Sequence, residues 1–436
     1  MSVRTEHAIV VRPGRPLRGV LRPVGDKSLT HRALILGAIA RGRSRLIHPN
    51  PGADCVATAR ALRELGARID HAATGWDLSG STGSLRTPAA PLRMGNSGTG
   101  MRLLSGLLAC HPVRAVLTGD ASLNRRPMRR IARPLREMGA EIVLRDEEFP
   151  PIEIRGGRLR AIRHTPEAPS AQVKGSLLLA GLGLSEGELI IEERIETRDH
   201  TERLLQWLGL PVDREAGRVV LRAPVPRHEG FEWIVPSDPS AATFYIVAAA
   251  LVEGSDVRLD GVLLNPGRTG AVEILKRMGA DVEIVPDEAS GPEPTGTVRA
   301  RASRLRGVSI AGPLLPRMID EVPALAVAAA MADGETVIRD CAELRVKESD
   351  RIASTAAMLR ALGCGVEAGP DWLRIEGAGR LKGGAVDPCG DHRIAMAGIV
   401  AGLAAEAPVV IEDVRPIASS DPTFIDRIVQ LGASVS

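Results

Sequence analysis

The chain repeats one local pattern six times, in which an amphipathic helix ends at a glycine and an apolar strand follows, as in LREMGAEIVL, residues 135–144. A glycine just after the last apolar position of a helix favours the left-handed conformation that closes the helix. The glycines recur about every 70 residues, which predicts six compact βαβαββ-sized units, three in each of two domains. They are Gly66, Gly139, Gly209, Gly279, Gly363 and Gly432.

A second series of six segments is apolar almost all round and rich in Ala and Gly, as in ATFYIVAAALV, residues 242–252. Such helices suit the centre of a domain. Ser, Asp, Asn or Gly precedes each of them, and these residues cap helix N-termini, where free N–H groups and the helix dipole favour anions. If the three helices of a domain run parallel, their N-termini share one face. Two such faces opposed across a hinge would form a cleft for a strongly anionic ligand, unless the polar residues only cap the helices.

Composition and charge exclude several classes of protein. A chain of 436 residues exceeds the size at which one core stops growing, so two domains are expected. A net charge of +3 and 2% aromatic residues give no reason to expect nucleic-acid binding. Five dispersed cysteines without a C-x-x-C pair favour a reduced, cytoplasmic protein without a structural metal. With no apolar segment long enough for a signal peptide or a membrane span, we expect neither secretion nor membrane insertion.

Eight motifs in one order carry a resemblance to a known family. From about residue 20 to about residue 427, the chain resembles the 5-enolpyruvylshikimate-3-phosphate synthase family. The motifs are GDKSLTHRA (25–33), GNSGTGMR (95–102), GDASLNRRPM (119–128), PSAQVKG (169–175), TRDHTE (197–202), MIDE (318–321), ELRVKESDR (343–351) and GDHRIAM (390–396).

The resemblance implies a fold and a reaction. The fold is the two-domain, inside-out α/β barrel of enolpyruvyl transferases, with three βαβαββ units in each domain. The reaction transfers the enolpyruvyl (carboxyvinyl) group of phosphoenolpyruvate to the 5-hydroxyl of shikimate 3-phosphate and releases phosphate, a step of the shikimate pathway towards aromatic amino acids. Neither a cofactor nor a metal is implied, and we expect the protein to act as a monomer.

The resemblance also assigns residues to the site. Both substrates carry a phosphate and a carboxylate, so the site needs several cations, and the proton transfers need an acid and a base. Asp320 is implied as the base for the hydroxyl, Glu348 as the group that transfers the proton at C3, and Lys27 as a third catalytic residue. Residues implied in shikimate 3-phosphate binding are Lys27, Ser28, Arg32, Ser170, Ala171, Gln172, Arg198, Asp320 and Lys347. Those implied in phosphoenolpyruvate binding are Lys27, Asn96, Gly98, Thr99, Arg126, Gln172, Arg351 and Arg393.

Spacing predicts how some of these residues are presented. Ser28 and Arg32 are four residues apart, so they should share one face of a helix. The same argument predicts that the KESDR segment, residues 347–351, is helical and places Lys347, Glu348 and Arg351 on one face. Arg126 precedes Pro127, which fits the first position of a helix.

The chain departs from one branch of the family at two positions. Ala171 stands where that branch has a second Ser, although its backbone N–H could still donate. Asp421 stands near the place of a C-terminal Lys, which leaves a fourth cation for phosphoenolpyruvate in question.

In GNSGTGMR the glycine spacing fits neither a Walker A loop nor a dinucleotide fingerprint. Gly98 stands where glyphosate-insensitive members of the family can carry Ala, so the resemblance implies room for the inhibitor glyphosate, and we predict sensitivity to it.

Two other functions stay open at this point. The sister enolpyruvyl transferase that acts on UDP-N-acetylglucosamine would have the same fold, and a non-catalytic anion-binding protein could use the same helix N-termini. For the domains, we predict that residues 26–236 hold the first three units and that residues 1–25 with 237–436 hold the last three. The hinge is expected near residues 23–27 and 235–240, with closure on the first substrate.

Overall fold

The computed structural model describes residues 7–80 and 85–436, and helices and strands alternate along them. The helices are α1 (Lys27–Ile39), α2 (Ala53–Glu64), α3 (Gly98–Ala109), α4 (Arg129–Met138), α5 (Ala171–Gly181), α6 (His200–Trp207), α7 (Pro239–Leu251), α8 (Gly270–Arg277), α9 (Val322–Ala330), α10 (Arg351–Ala361), α11 (His392–Ala404) and α12 (Phe424–Gln430).

The strands are short, and most have two to eight residues. They are β1 (Ile9–Arg12), β2 (Arg18–Leu21), β3 (Arg43–Ile47), β4 (Arg68–Ala72), β5 (Gly75–Ser79), β6 (Leu92–Arg93), β7 (Arg114–Thr118), β8 (Glu141–Arg145), β9 (Phe149–Arg155), β10 (Arg163–His164), β11 (Glu188–Glu192), β12 (Val212–Glu215), β13 (Arg218–Arg222), β14 (Glu232–Ile234), β15 (Asp256–Leu263), β16 (Asp281–Pro286), β17 (Thr295–Arg301), β18 (Ser309–Ile310), β19 (Asp333–Ile338), β20 (Gly365–Ala368), β21 (Leu373–Ala378), β22 (Gly384–Val386), β23 (Val409–Ile411) and β24 (Ser434–Val435).

The described strands form six four-stranded sheets of one plan. In the sheet β6-β7-β9-β8, the first two strands are parallel and are joined through α3, while β9 runs antiparallel to both of its neighbours. The sheets β10-β11-β13-β12 and β18-β19-β21-β20 repeat this order with consecutive strands. The predicted set of six βαβαββ units is therefore confirmed.

Each of the other three sheets contains one strand that is distant in sequence from its other three strands. β14 is the edge strand parallel to β3 in the sheet β14-β3-β5-β4, and β2 is the edge strand parallel to β15 in the sheet β16-β17-β15-β2. β1 lies between β23 and β24 in the sheet β22-β23-β1-β24. β1 and β2 thus join N-terminal residues to sheets formed by the last part of the chain, whereas β14 joins a sheet formed by its first part.

The six predicted helix-ending glycines all have positive φ, so the predicted left-handed helix ends are confirmed. Gly139 has φ 113° and donates its N–H to the carbonyl of Arg136 at 3.0 Å, and the next N–H, of Ala140, bonds to Leu135 at 3.0 Å. These bonds satisfy carbonyls at the end of α4 before β8 begins.

The apolar helices form the cores, as predicted. α3 packs against both α1 and α5, and α7, α9 and α11 pack against one another. Almost every residue of α7 and α11 is buried, which explains why their sequences lack a polar face. The amphipathic helices α2, α4, α6, α8, α10 and α12 carry the glycine-ended pattern instead.

The chain divides into two compact units. One contains residues up to Val24 with Pro236–Ala289 and Pro294–Ser436, and the other contains Gly25–Val235 with Ser290–Glu293. We call them the α7 unit and the α1 unit. The short segment Ser290–Glu293, in the connection from β16 to β17, belongs to the α1 unit although its sequence neighbours do not, which nothing in the sequence pattern predicts.

Two further observations bear on the environment of the protein. Within residues 7–80 and 85–436, each helix is either too short or too polar to cross a membrane. All five cysteines are free thiols, and burial raises the pKa of Cys110 and of Cys341 to about 12. Both thiols are therefore protonated and poor nucleophiles at neutral pH.

Candidate active site

The N-terminus of α1 presents the first group of predicted residues. Asp26 caps the helix by accepting the N–H of Leu29 at 2.7 Å, which fixes Lys27 as the first helical residue. The ammonium of Lys27 lies 2.9 Å from the carboxylate of Asp54. Lys27 is thus held at the helix start, where the dipole also favours an anion.

Ser28 and Arg32 share one face of α1, as predicted. The guanidinium of Arg32 donates to the carbonyl of Ser28 at 2.9 Å and to the hydroxyl of Thr201 at 2.7 Å. Burial lowers the pKa of Arg32 to about 10, against the raising effect of Glu202 and other carboxylates. Arg32 therefore stays charged at neutral pH, as a buried cation at the edge of the site.

The stretch GNSGTGMR forms the start of α3. Ser97 caps the helix through its side chain, and Gly98 is the first helical residue. A Cβ atom at Gly98 would lie 3.0 Å from Nη1 of Arg102 and 3.2 Å from Nη1 of Arg126. Two guanidinium groups therefore border the space above Gly98, at a helix N-terminus. This arrangement suits an anion.

Side chains from α3 and α5 meet beside this space. The amide of Gln172 donates to the hydroxyl of Thr99 at 2.9 Å and accepts from Nη1 of Arg102 at 2.7 Å. Arg126 donates to the side-chain oxygen of Asn96. The predicted residues of the α3 and α5 starts are thus brought together, in one cationic and hydrogen-bonding cluster.

Arg102 belongs to this cluster and was missed as a site residue from the sequence. It is 6% exposed and carries a charge into the otherwise apolar helix α3. A charged residue near the start of a buried helix, three positions after Thr99, was the available signal.

The N-terminus of α5 presents Ser170, Ala171 and Gln172, as expected. Ser170 caps the helix by accepting the N–H of Val173 at 3.3 Å, and Ala171 is the first helical residue. Arg198 lies in the loop before α6, and its charge is close enough to contribute to lowering the pKa of Arg32. The α1 unit therefore contains a second cationic group, at the starts of α1 and α5.

The predicted helix start at Arg126 and Pro127 is wrong. The helix after it, α4, begins at Arg129, so Pro127 precedes the helix instead of occupying its first position. Arg126 instead ends a short 3-10 turn, Leu123–Arg125, and has extended backbone. This turn directs the chain back to Asn96, which explains why Arg126 reaches the cluster without being part of α4.

A third group of predicted residues lies in the α7 unit. Asp320 occupies a 3-10 turn, Ile319–Glu321, and its carboxylate oxygen Oδ1 lies 3.4 Å from the ammonium of Lys347 and 3.3 Å from Nη1 of Arg351. Nη2 of Arg351 contacts Glu348 at 2.6 Å. The predicted base, proton-transfer group and two cations are thus linked by ion pairs, in the order Lys347, Asp320, Arg351 and Glu348.

The prediction that residues 347–351 form one helical face is wrong. α10 begins at Arg351, because Asp350 adopts an extended conformation and caps the helix by accepting the N–H of Ala353 at 3.1 Å. Lys347 is also extended, at the end of the 3-10 turn Ala342–Val346. The residues converge through a loop that folds back on the helix start.

Arg351 is the most heavily paired cation of this group. It is 1% exposed, and besides Asp320 and Glu348 it contacts Asp391 at 2.8 Å. Burial alone would lower the pKa of Arg351, but the charge of Asp391, then of Glu348, raises it above its ordinary value. Arg351 is therefore permanently charged.

Arg393 contrasts with Arg351. It lies in the first turn of α11 and is 8% exposed, and its backbone N–H donates to Asp391 at 2.9 Å. Among residues 7–80 and 85–436, no carboxylate or other acceptor is bound to its guanidinium. A buried, uncompensated guanidinium at a helix N-terminus is suited to bind an anionic ligand.

Asp421, near which the resemblance places a lysine in one branch of the family, is a buried carboxylate with a structural role. It is 1% exposed and accepts hydrogen bonds from the backbone and hydroxyl of Thr423, at 3.1 and 2.8 Å. Burial raises its pKa, which favours the neutral form. Asp421 thus closes its own turn and supplies no cation.

One group of side chains in the described chain could in principle hold a metal ion. Ligand atoms of Asp199, His200 and Glu293 lie within 4.8 Å of one another, and all three residues are buried. These atoms already have partners, since Nδ1 of His200 lies 2.7 Å from Glu293, and Arg203 contacts Asp199 at 2.8 Å and Glu293 at 3.8 Å. The cluster is consistent with an internal ion-pair network.

Comparison with known proteins assigns the chain to a family. The family model described as EPSP synthase (3-phosphoshikimate 1-carboxyvinyltransferase) matches residues 11–428. A 3-phosphoshikimate 1-carboxyvinyltransferase of Thermus thermophilus is 50% identical over 97% of this chain and 98% of the relative. That of Halorhodospira halophila is 49% identical over 98% of this chain and 96% of the relative.

Solved structures agree with this assignment. EPSP synthase from Acinetobacter baumannii superposes with a TM-score of 0.87 at 41% identity, covering 99% of this chain and 100% of the other. The enolpyruvyl transferase NikO from Streptomyces tendae, at 19% identity, has a TM-score of 0.81 over 99% and 98% of the two chains, and therefore shares the fold. The chain belongs to the EPSP synthase (3-phosphoshikimate 1-carboxyvinyltransferase) family.

Proposed function

We propose that this protein transfers the enolpyruvyl group of phosphoenolpyruvate to the 5-hydroxyl of shikimate 3-phosphate, giving 5-enolpyruvylshikimate 3-phosphate and phosphate. The observation that carries the proposal is the family match over residues 11–428. The chemistry of the residues supports it, because two strongly anionic substrates need the buried cations found at the helix starts.

The α1 unit supplies most of the binding groups in this proposal. The starts of α1 and α5, with Arg198, bind shikimate 3-phosphate, and Ser28 with Arg32 bind its carboxylate. The space above Gly98, bordered by Arg102 and Arg126, receives the phosphate of phosphoenolpyruvate.

The α7 unit supplies the proton-transfer groups. Asp320 takes the proton of the 5-hydroxyl while the hydroxyl oxygen bonds to C2 of phosphoenolpyruvate. Glu348 delivers a proton to C3. Loss of phosphate from C2 and of a proton from C3 then restores the double bond, so atoms and charge balance. Lys347 beside Asp320 contacts the shikimate phosphate, and Arg351 with Arg393 hold phosphoenolpyruvate.

We also propose a cytoplasmic monomer whose units move about a hinge at the Val24–Gly25 and Val235–Pro236 connections. X-ray scattering with and without shikimate 3-phosphate tests the motion, since we expect the radius of gyration to fall on binding.

The acceptor tests the proposed function against its nearest alternative. Phosphate release from phosphoenolpyruvate is measured with shikimate 3-phosphate and, separately, with UDP-N-acetylglucosamine. We expect turnover only with shikimate 3-phosphate, and turnover only with the nucleotide sugar would refute the proposal. Binding of shikimate 3-phosphate without turnover would instead support the anion-binding alternative.

A further inference from the structure

A buried ion pair lies behind the proposed shikimate 3-phosphate site and has no part in the mechanism above. Lys174 is one of only five lysines in the chain, and its side chain is 1% exposed in the interior of α5. Its ammonium contacts Glu193 at 2.7 Å and Glu202 at 2.7 Å. Burying a charge is unfavourable unless it is paired, so this arrangement needs a structural or functional reason.

Lys174 and Glu193 hydrogen-bond to the backbone N–H, the carbonyl and the hydroxyl of one residue, Thr197. Oε1 of Glu193 accepts the backbone N–H of Thr197 at 3.2 Å and also its hydroxyl hydrogen. The ammonium of Lys174 donates to the carbonyl of Thr197 at 3.3 Å. Thr197 directly precedes Arg198, so the backbone that carries Arg198 is fixed from both sides.

The same ion pair connects Arg198 to α5. Lys174 lies two residues after Gln172 and four after Ser170, on the helix whose N-terminus is assigned to the substrate phosphate. Glu202, the second partner of Lys174, follows Thr201, whose hydroxyl accepts from Arg32 at 2.7 Å. The loop of Arg198 and the helix start thus share one charged support.

We propose that Lys174 and Glu193 are positioning residues that hold Arg198 next to the N-terminus of α5. Arg198 and this N-terminus then contact the phosphate of shikimate 3-phosphate together. The inference rests on the proposed function. A preorganised cation binds an anion with less loss of conformational entropy than a cation on a loose loop, so the ion pair increases affinity without contacting the substrate.

The test uses Glu193→Gln, which keeps the size of the side chain and an oxygen for Thr197 but removes the charge that pairs with Lys174. We expect the KM for shikimate 3-phosphate to rise about tenfold, while kcat and the KM for phosphoenolpyruvate change less than about twofold. Glu196→Gln is the matched control. Glu196 is exposed in the same loop and contacts the N–H of Gly217 at 3.1 Å, so we expect wild-type constants.

A double-mutant cycle distinguishes positioning from general stabilisation. In an Arg198→Ala background, Glu193→Gln should raise the KM for shikimate 3-phosphate by less than about twofold, because the residue through which it acts is gone. A purely structural role predicts a loss of Tm and of kcat that is independent of Arg198. Additive effects on KM, or an unchanged KM in the single variant, would overturn the proposal.

A second variant covers the case in which Glu193→Gln does not fold. Thr197→Val removes only the hydroxyl that Glu193 accepts, and it should raise the same KM by about threefold with kcat retained. An unchanged KM in folded Thr197→Val would then count against the proposal. If the wild-type protein releases no phosphate with shikimate 3-phosphate, the proposed function fails first. An active wild type with unaffected variants refutes the positioning role alone.

Discussion

The guanidinium of Arg351 binds both carboxylate oxygens of Asp391, from Nε to Oδ2 at 2.8 Å and from Nη2 to Oδ1 at 3.3 Å. Asp391 is also the N-cap of α11 and accepts the N–H of Arg393 at 2.9 Å. One buried carboxylate therefore binds the guanidinium of Arg351 and the backbone of Arg393, two arginines that are proposed to hold the same substrate. The paired arginine and the unpaired one should respond differently to replacement.

Replacing Arg351 by Met should cost both folding and binding. Asp391 and Glu348 would lose their cation, and leaving a buried charge uncompensated costs about 3–5 kcal/mol. Arg393→Met removes no internal ion pair, so the free energy of unfolding should change by less than about 1 kcal/mol. Both variants should raise the KM for phosphoenolpyruvate at least about tenfold. Denaturant unfolding and steady-state kinetics measure the two effects.

Arg374→Met is the control for this pair. Arg374 pairs with Glu335 on the surface, where an ion pair contributes little, so neither quantity should change. Equal losses of stability in Arg351→Met and Arg393→Met would contradict the contrast between them.

The proton-transfer assignments predict a loss of kcat. Asp320→Asn and Glu348→Gln remove groups of similar size, and each should lower kcat by about 10²- to 10⁴-fold. Initial rates of phosphate release measure this, with Glu335→Gln as a carboxylate control on the surface. Full turnover in either variant would show that another group transfers the proton.

Gly98→Ala tests the assignment of the α3 start. The added methyl group would lie 3.0 and 3.2 Å from the guanidinium nitrogens of Arg102 and Arg126, so it must displace one of them or the ligand. We expect the wild type to be inhibited by glyphosate, and the variant to show a higher inhibitory concentration and a higher KM for phosphoenolpyruvate. Gly157→Ala, with no atom within 4 Å of the new methyl group, is the control. Wild-type turnover that persists in millimolar glyphosate would refute the predicted sensitivity.

The repeating fold could be predicted from the sequence because its signals are local. A glycine at a helix end fixes a left-handed residue, as at Gly139, and an unbroken apolar pattern indicates a buried helix, as in α7. The pairing of β1, β2 and β14 with strands distant in sequence could not be predicted from such local signals. Strand pairing across hundreds of residues leaves no periodic signal in either partner.

The sequence predicts a set of candidate site residues but not how the backbone presents them. The motif residues from α3 and α5 are in contact, but the spacing argument for Lys347, Glu348 and Arg351 failed because Asp350 starts the helix only at Arg351. Which capping residue sets a helix start depends on the backbone before it. The ion pair of Lys174 with Glu193 is also a tertiary contact, which a single sequence does not reveal.

The buried imidazole of His31 predicts a pH-dependent stability. Burial, followed by the charges of Lys27 and Arg32, lowers the pKa of His31 well below its ordinary value of 6.5. The unfolded chain therefore binds a proton that the folded chain does not. Stability is fully present above pH 6.5 and is lost as the pH falls below it, by up to about 1.4 kcal/mol at pH 5.5.

Unfolding by urea at pH 8 and pH 5.5 measures this effect. His31→Asn keeps an acceptor or donor near the hydroxyl of Thr58, to which Nδ1 of His31 lies at 2.9 Å, but cannot titrate. The variant should lose less stability than the wild type between the two pH values. An identical loss in both proteins would show that His31 does not contribute.

The reaction itself is tested most directly by ³¹P NMR of the protein with phosphoenolpyruvate and shikimate 3-phosphate. The account predicts that the signals of phosphoenolpyruvate and shikimate 3-phosphate are lost together and are replaced, in equal amounts, by those of inorganic phosphate and 5-enolpyruvylshikimate 3-phosphate. It also predicts that Asp320→Asn and Glu348→Gln slow this conversion. Unchanged shikimate 3-phosphate, whether phosphoenolpyruvate is stable or is hydrolysed to pyruvate, would contradict it.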